Sequence, residues 1–447
     1  VGQGQPDKLT AINAAFCADK RLAVVLITWA VRIRSRQAIS LEKVCMQDRS
    51  ANSVEASGLS PDFSLVIGGP LFQLLRRSRL SDDAAELVQR RIIAFIAITW
   101  LPLLLITALQ GNAWRAEGAV PFLLDFEVHT RFLIALPLLI LAELVVHRRM
   151  RLLVRQFEER KLVSEKSRAA FAAALASAVR LRNSVSTEVL LVALVYGLGI
   201  IVIWRNYVAL DAATWYASQS ANGSRLSIAG IWYGYVSLPI FQFLLCRWYF
   251  RLFLWARFLW HVSRLELNLL PTHPDRTAGL GFLTNISYSF IPVLAAHGVL
   301  LAGIIASRIY HLGASLPMFK LEIAVLVVFL LCLILGPLLV FSFKLADAKR
   351  KGQREYGMLA ERYAREFDAK WLRGGAPEGE QLIGSADIQS LADLGNSYEV
   401  VRGMRMVPFG KDAVLQLSIA TVAPILPLVL TMMPLEELLK RLAAIIF

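Results

Sequence analysis

Apolar residues gather into seven stretches along the chain, and the polar segments between them are alternately rich and poor in Arg and Lys. The stretches lie at 92–110, 132–147, 189–204, 228–246, 290–310, 322–343 and 413–433. A helix rises about 1.5 Å per residue, so about 20 apolar residues cross the roughly 30 Å of hydrocarbon in a bilayer. The pattern predicts an all-α, polytopic integral membrane protein with six to seven transmembrane helices and cytoplasmic helical extensions.

The basic residues predict how the chain is threaded. About ten Arg and Lys lie between the second and third stretches, about five between the fourth and fifth, and about twelve between the sixth and seventh. The other three connections hold about two each: Arg115 and Arg131, Arg205 and Arg225, Arg308 and Lys320. Positive residues are retained on the cytoplasmic side, so the N-terminus is expected there, in a bacterial-type inner membrane. Trp232, Tyr233 and Tyr235 are expected at the outer interface, and Trp248, Tyr249, Trp255 and Trp260 at the inner one.

Composition agrees with this reading. Of 447 residues, 56% are hydrophobic and only 18% charged, against about a quarter charged in soluble domains. A net charge of +14 would suggest nucleic acid in a soluble protein. Here the basic residues adjoin apolar stretches, so a lipid surface explains them and nucleic acid is not an expected partner. Cys17, Cys45, Cys246 and Cys332 form no CxxC or zinc spacing and read as small apolar core residues. No cofactor or metal site is expected.

Residues 1–58 read as a poorly ordered N-terminal extension. Its apolar run at 22–31 is too short to span, and it precedes Arg32, Arg34 and Arg36, the reverse of a secretory signal. The first Met is Met46, which fits a non-ATG start or an upstream extension that is not natively made. Residues 59–91 form a cytoplasmic juxtamembrane segment and 92–343 a six-helix body, with a cytoplasmic helical connection at about 148–188. Residues 344–411 form a cytoplasmic helical region. Residues 412–447 hold a seventh span broken by Pro424 and Pro427, then an amphipathic helix at 435–447. The seventh span either crosses or re-enters.

On the cytoplasmic side, 151–182 and 347–371 should be helices that prolong the second and sixth spans and pack together. The second carries Tyr356, Leu359, Tyr363, Phe367 and Trp371 on one face. Tyr356, Tyr363, Phe367 and Trp371 either pack within the chain or dock a cytoplasmic protein. Ser385 and Ser397 should cap two short helices, with Gly395 as a stop between them.

Few residues offer chemistry. Glu143, one turn before His147, is an acid within a span; it either lines an ion or proton path or pairs with Arg247 or Arg251. Arg247, Arg251, Arg257 and Arg264 lack the every-third spacing of a voltage sensor and read as headgroup contacts. His297 sits mid-span beside the small-residue ridge Gly298, Ala302 and Ala306. It is expected to be a buried hydrogen-bonding residue or to face the path. Gln416, Ser418 and Thr421 lie on the proline-broken span, a form used by transporter sites and by structural kinks alike. The loop 271–281 brings His273, Asp275, Arg276 and Thr277 together with Gly279 and Gly281, which fits either a ligand-binding cytoplasmic mouth or a tight turn into the next span. Its GLG is no GxGxxG fingerprint.

The leading expectation is therefore a channel or transporter for a small solute or ion, with no catalytic residue assigned. The alternatives are a non-enzymatic membrane scaffold or sensor, and a lipid-acting enzyme using His273 and Asp275. Partners expected are the lipid bilayer and further copies of the chain.

Overall fold

The computed structural model describes residues 65, 66, 68, 88–114, 120–197, 199, 214–220 and 223–432. The expectations for 1–58, for Cys17 and Cys45 and for the helix at 435–447 lie outside the described residues, as does most of the segment 59–87. In chain order the elements are α1 (Val88–Leu109), α2 (Phe126–Glu159), α3 (Arg168–Arg182), α4 (Val185–Gly197), the strands β1 (Ala217–Ser220) and β2 (Gly223–Leu226), α5 (Ile228–Ser263), α6 (Phe282–Leu312), α7 (Leu316–Leu372), α8 (Ala386–Arg402) and α9 (Lys411–Thr431). Six of them, α1, α2, α5, α6, α7 and α9, are long and apolar enough to cross a membrane. The all-α expectation needs one correction: β1 and β2 form an antiparallel hairpin with Ala217 opposite Leu226.

The connections sort into two ends. At one end, Val120 bridges to Thr214, the Trp215 indole donates to Asp125 Oδ2 at 2.9 Å, and His311 Nε2 lies 3.1 Å from the Leu124 carbonyl. These join the three Arg-poor connections. At the other end, Asn268 N donates to Leu162 O at 2.8 Å, Arg160 to Gly279 O at 3.2 Å, and Arg405 N to Arg276 O at 2.7 Å. These join the three Arg-rich ones. The third apolar stretch is described only in part, as α4. Glu188 near its start lies 3.8 Å from Arg247, while the Tyr196 hydroxyl reaches Tyr235 O at 3.3 Å. It therefore runs antiparallel to α5, from the Arg-rich end toward the other.

Local sequence explains the helix boundaries. Asp125 caps α2 by accepting the Val128 amide at 3.1 Å, and Ser227 caps α5 through the Gly230 amide at 3.0 Å. Gly313, at φ 66°, closes α6 in the left-handed region that glycine tolerates. α6 is the most enclosed helix, and its glycines permit that. Gly298 meets the Thr421 backbone of α9, and Gly303 meets the Thr130 side chain, where a π-helical step (Thr130–Ala135) widens α2. Exposed apolar side chains such as Ile93, Leu105, Val325, Phe343 and Leu415 cover the outer faces of α1, α7 and α9.

The prolines of α9 do not break it. Residues Lys411–Val422 are α-helical and Ala423–Thr431 continue as a 3-10 helix alongside α6. Tightening to the 3-10 form is one way a helix accommodates missing amides. At about 1.5 and 2.0 Å per residue the two parts reach roughly 36 Å, enough for one crossing.

Other expectations are corrected. Ser397 and Gly395 neither cap nor stop a helix: α8 is one helix through both, held on α7 near Tyr398 and by the buried Val401. α3 packs on α5, and α8 covers α7, so the two Arg-rich connections do not form one pair. Tyr233, Trp248 and Trp255 lie inside rather than at an interface, with Trp248 donating to Leu139 O at 3.0 Å. Arg247 and Arg251 are likewise interior, not at headgroups. Arg257 instead reaches Ser177, and Arg264 stacks over Trp260 at 4.5 Å. Cys246 is half-buried and Cys332 exposed, so neither is a core residue.

Candidate functional site

At the Arg-rich end, the chain from Pro271 to Gly281 is wound around one carboxylate. Asp275 Oδ1 accepts the amides of Thr277 at 2.8 Å and Gly279 at 3.1 Å, and Oδ2 accepts Gly281 at 2.9 Å. Burial raises the Asp275 pKa, but these three amides outweigh it and hold the carboxyl below its usual value. The turn needs left-handed backbone at Arg276, Ala278 and Gly279, of which only Gly279, at φ 95°, is free of a Cβ. His273 Nδ1 sits 3.0 Å from Asp275 Oδ1. The Arg276 carbonyl binds the Arg405 amide, and its side chain is exposed.

This loop forms one wall of an open cleft of about 320 Å³. Arg160, just past α2, and Phe282, Thr284, Asn285 and Tyr288 of α6 add further walls; Arg405, Pro408, Gly410 and Asp412 close the side toward α9. His273, Asp275 and Gly281 of the expected mouth line it; Arg276 and Gly279 shape it through their backbone. Arg160, Arg405 and Asp412 are the residues that sequence reasoning missed. They are brought in from two other connections, and no local spacing links them to 271–281. The cleft thus offers two guanidiniums, an imidazole and the carboxylates of Asp275 and Asp412. Asp275 is committed to the loop amides, which leaves Asp412 as the carboxylate free of that task.

The intramembrane candidates go elsewhere. Glu143 is buried among three arginines. It accepts from Arg91, lies 2.7 Å from Arg251 Nη2 and 3.8 Å from Arg247 Nη1. The pairing with Arg247 and Arg251 was legible from the sequence; Arg91, on α1, was not. His147 is buried one turn further along α2. His297 Nδ1 lies 2.7 Å from the Val293 carbonyl and Nε2 lies 2.8 Å from the Tyr249 hydroxyl. Ser418 and Thr421 return their hydroxyls to the carbonyls of Val414 and Leu417, four residues back, and Gln416 is exposed. Tyr356, Tyr363, Phe367 and Trp371 are half-buried; the Tyr363 hydroxyl donates to Asp387 O at 3.2 Å and the Trp371 indole to Asp387 Oδ2 at 2.9 Å.

Among the described residues, no three His, Cys, Asp or Glu side chains gather as a metal site. No protein-family model, no curated protein and no solved structure matches the chain, so the chemistry of the cleft rests on its own geometry.

Proposed function

We propose that this chain is a multi-pass protein of a bacterial-type inner membrane, with its Arg-rich end in the cytoplasm, that moves a small polar solute or ion taken up in the cleft between Arg160 and Asp412. The observation that carries this reading is the position of the cleft. It is a pocket lined by both signs of charge, and it opens where the Arg-rich ends of α2, α6 and α9 meet. Small-solute sites favour concave surfaces between helices with a few convergent polar groups. Glu143 and His297 serve here as structural ties between helices. The test is flux into proteoliposomes across a panel of inorganic ions, sugars and amino acids. Flux that falls in Arg405→Ala and Asp412→Asn supports the reading; no flux for the whole panel overturns it.

A sensor or scaffold role is favoured by a different observation. The residues after α8 bind the cleft loop through Arg405 N and Arg276 O, and Lys349 on α7 donates to Met404 O at 2.8 Å. A ligand in the cleft would therefore touch the same segment that holds α8 on α7. Ligand-dependent change in amide exchange along α8, without flux, would select this reading.

A further inference from the structure

Three features of the cleft call for the same kind of occupant. The first is a hydroxyl without a partner. Thr277 lines the cleft and is 1% exposed, yet its Oγ1 has no hydrogen-bond partner. It stands beside Gly281, where a Cβ would come within 3.2 Å of it, so the wall next to this hydroxyl carries no side chain. A buried hydroxyl left unpaired is costly, and here the space beside it is the cleft.

The second is a pair of uncapped helix ends. α6 and α9 start just after Gly281 and Gly410 on the cleft wall, and neither has a side-chain cap. At α6, Asp275 Oδ2, Leu280 O and Gly281 O take the amides of Gly281, Leu283 and Thr284, which leaves that of Phe282. At α9, Gly410 O takes the amide of Ala413, which leaves those of Lys411 and Asp412. Unpaired amides in a first turn favour negative charge. The third is the two guanidiniums. Arg160 is held 5.2 Å over the Phe282 ring while donating to Gly279 O, and Arg405 folds over Gly410 so closely that no Cβ would fit there. Among the described residues neither guanidinium has a carboxylate within ion-pair distance. Asp275 is turned to the loop amides, and Asp412 stands in the first turn of α9, where it offsets the positive end of that helix.

We propose that the occupant of the cleft is a small soluble organic anion, a carboxylate or phosphate ester, whose oxyanion is held by Arg405, Arg160 and the Thr277 hydroxyl. An oxyanion has several acceptor oxygens, so one group can meet both guanidiniums and the hydroxyl together. A cavity of about 320 Å³ lies at the small end of small-molecule sites, which suits a metabolite-sized ligand. The inference rests on the reading of the cleft as a solute site and adds the sign and chemical class of the solute.

The experiment is equilibrium dialysis of the purified full chain in detergent against radiolabelled inorganic phosphate, with choline chloride holding ionic strength constant. The expected result is one saturable phosphate per chain, displaced by glycerol 3-phosphate or succinate and not by glucose. Arg405→Gln should weaken binding about tenfold or more. Thr277→Val should weaken it about three- to tenfold, and Thr277→Ser should restore it. In phosphate-free buffer the thermal midpoint of Thr277→Val should equal or exceed that of the parent, because the variant removes a polar group with no partner. A lower midpoint there, with phosphate affinity unchanged, overturns the role given to the hydroxyl. Absence of saturable phosphate binding by the unaltered protein overturns the proposal without reference to any variant. Displacement by phosphatidylglycerol in nanodiscs, but not by soluble glycerol 3-phosphate, overturns the assignment to a soluble solute. Flux of a sugar or a cation without phosphate binding would sink this inference and keep the transport reading; phosphate binding without flux of any solute would do the reverse.

Discussion

The Tyr249 hydroxyl meets His297 Nε2 at 2.8 Å and ties α5 to α6. The partner of the other ring nitrogen fixes the proton. The Val293 carbonyl, 2.7 Å from Nδ1, can only accept, so Nδ1 carries the hydrogen and Nε2 of the neutral ring accepts from tyrosine. Tyr249→Phe leaves Nε2 facing an apolar ring. It should destabilise the folded protein by about 1–2 kcal/mol, read as a lower thermal midpoint in detergent. An unchanged midpoint would remove the tie from the account.

Among the described residues, Glu143 is the carboxylate that Arg91, Arg247 and Arg251 share. Glu143→Gln should cost about 3–5 kcal/mol, the usual penalty for leaving buried charge unpaired. The readout is loss of the monodisperse peak on size exclusion. A variant as stable as the parent would mean that the cluster is solvated.

Asp275 gives a pH dependence with a defined sign. Its folded pKa is depressed, so its contribution is fully present above the unfolded value of about 3.9 and is lost as pH falls through the lower folded value. Amide exchange at Thr277, Gly279 and Gly281 should therefore show protection unchanged from neutral pH down to about pH 5 and loss only in stronger acid. Asp275→Asn, with a single acceptor oxygen, should lose that protection at every pH. Loss of protection near neutral pH in the parent would assign the loop to another group.

The glycines of α6 make a paired test. A Cβ at Gly298 would collide with the Thr421 backbone, whereas nothing stands within 4 Å of the Cβ position at Gly336 on α7. Gly298→Ala should cost about 1–3 kcal/mol through overpacking. Gly336→Ala should be neutral or stabilising by up to about 1 kcal/mol. Equal effects would show that α6 and α9 pack less closely than described.

Sidedness has its own check. Reporter fusions at 160 and 360 should read as cytoplasmic and one at 215 as external. Any other combination would overturn the threading proposed here.

The length and apolarity of its helices explain why so much of the helical body was legible. A spanning helix must bury its own backbone polar groups and present apolar side chains over its length, so its signal is local and long. Sites lack that property. Arg91 and Glu143 stand 52 residues apart, and Arg405 and Asp412 reach 271–281 only through the folded arrangement of three connections. Trp248 and Trp255 were misread for another reason. An aromatic stripe at helical spacing looks the same whether it faces a headgroup layer or another helix; here the Leu139 carbonyl of α2 holds Trp248, and Trp255 is enclosed by packing alone. Gly395 was read as a stop because glycine weakens a helix; the packing of α8 on α7 overrides that preference.

α7 runs as one rod of 57 residues, with a 3-10 step at Gly336–Phe341 where it leaves its most apolar stretch. From Phe341 to Trp371 is a lever of roughly 45 Å. A swing of five degrees at that step would carry Trp371 through an arc of about 4 Å, and α8, gripping the shaft along its length, would travel with it. Such a swing would magnify small adjustments among the apolar helices at the far end of α7.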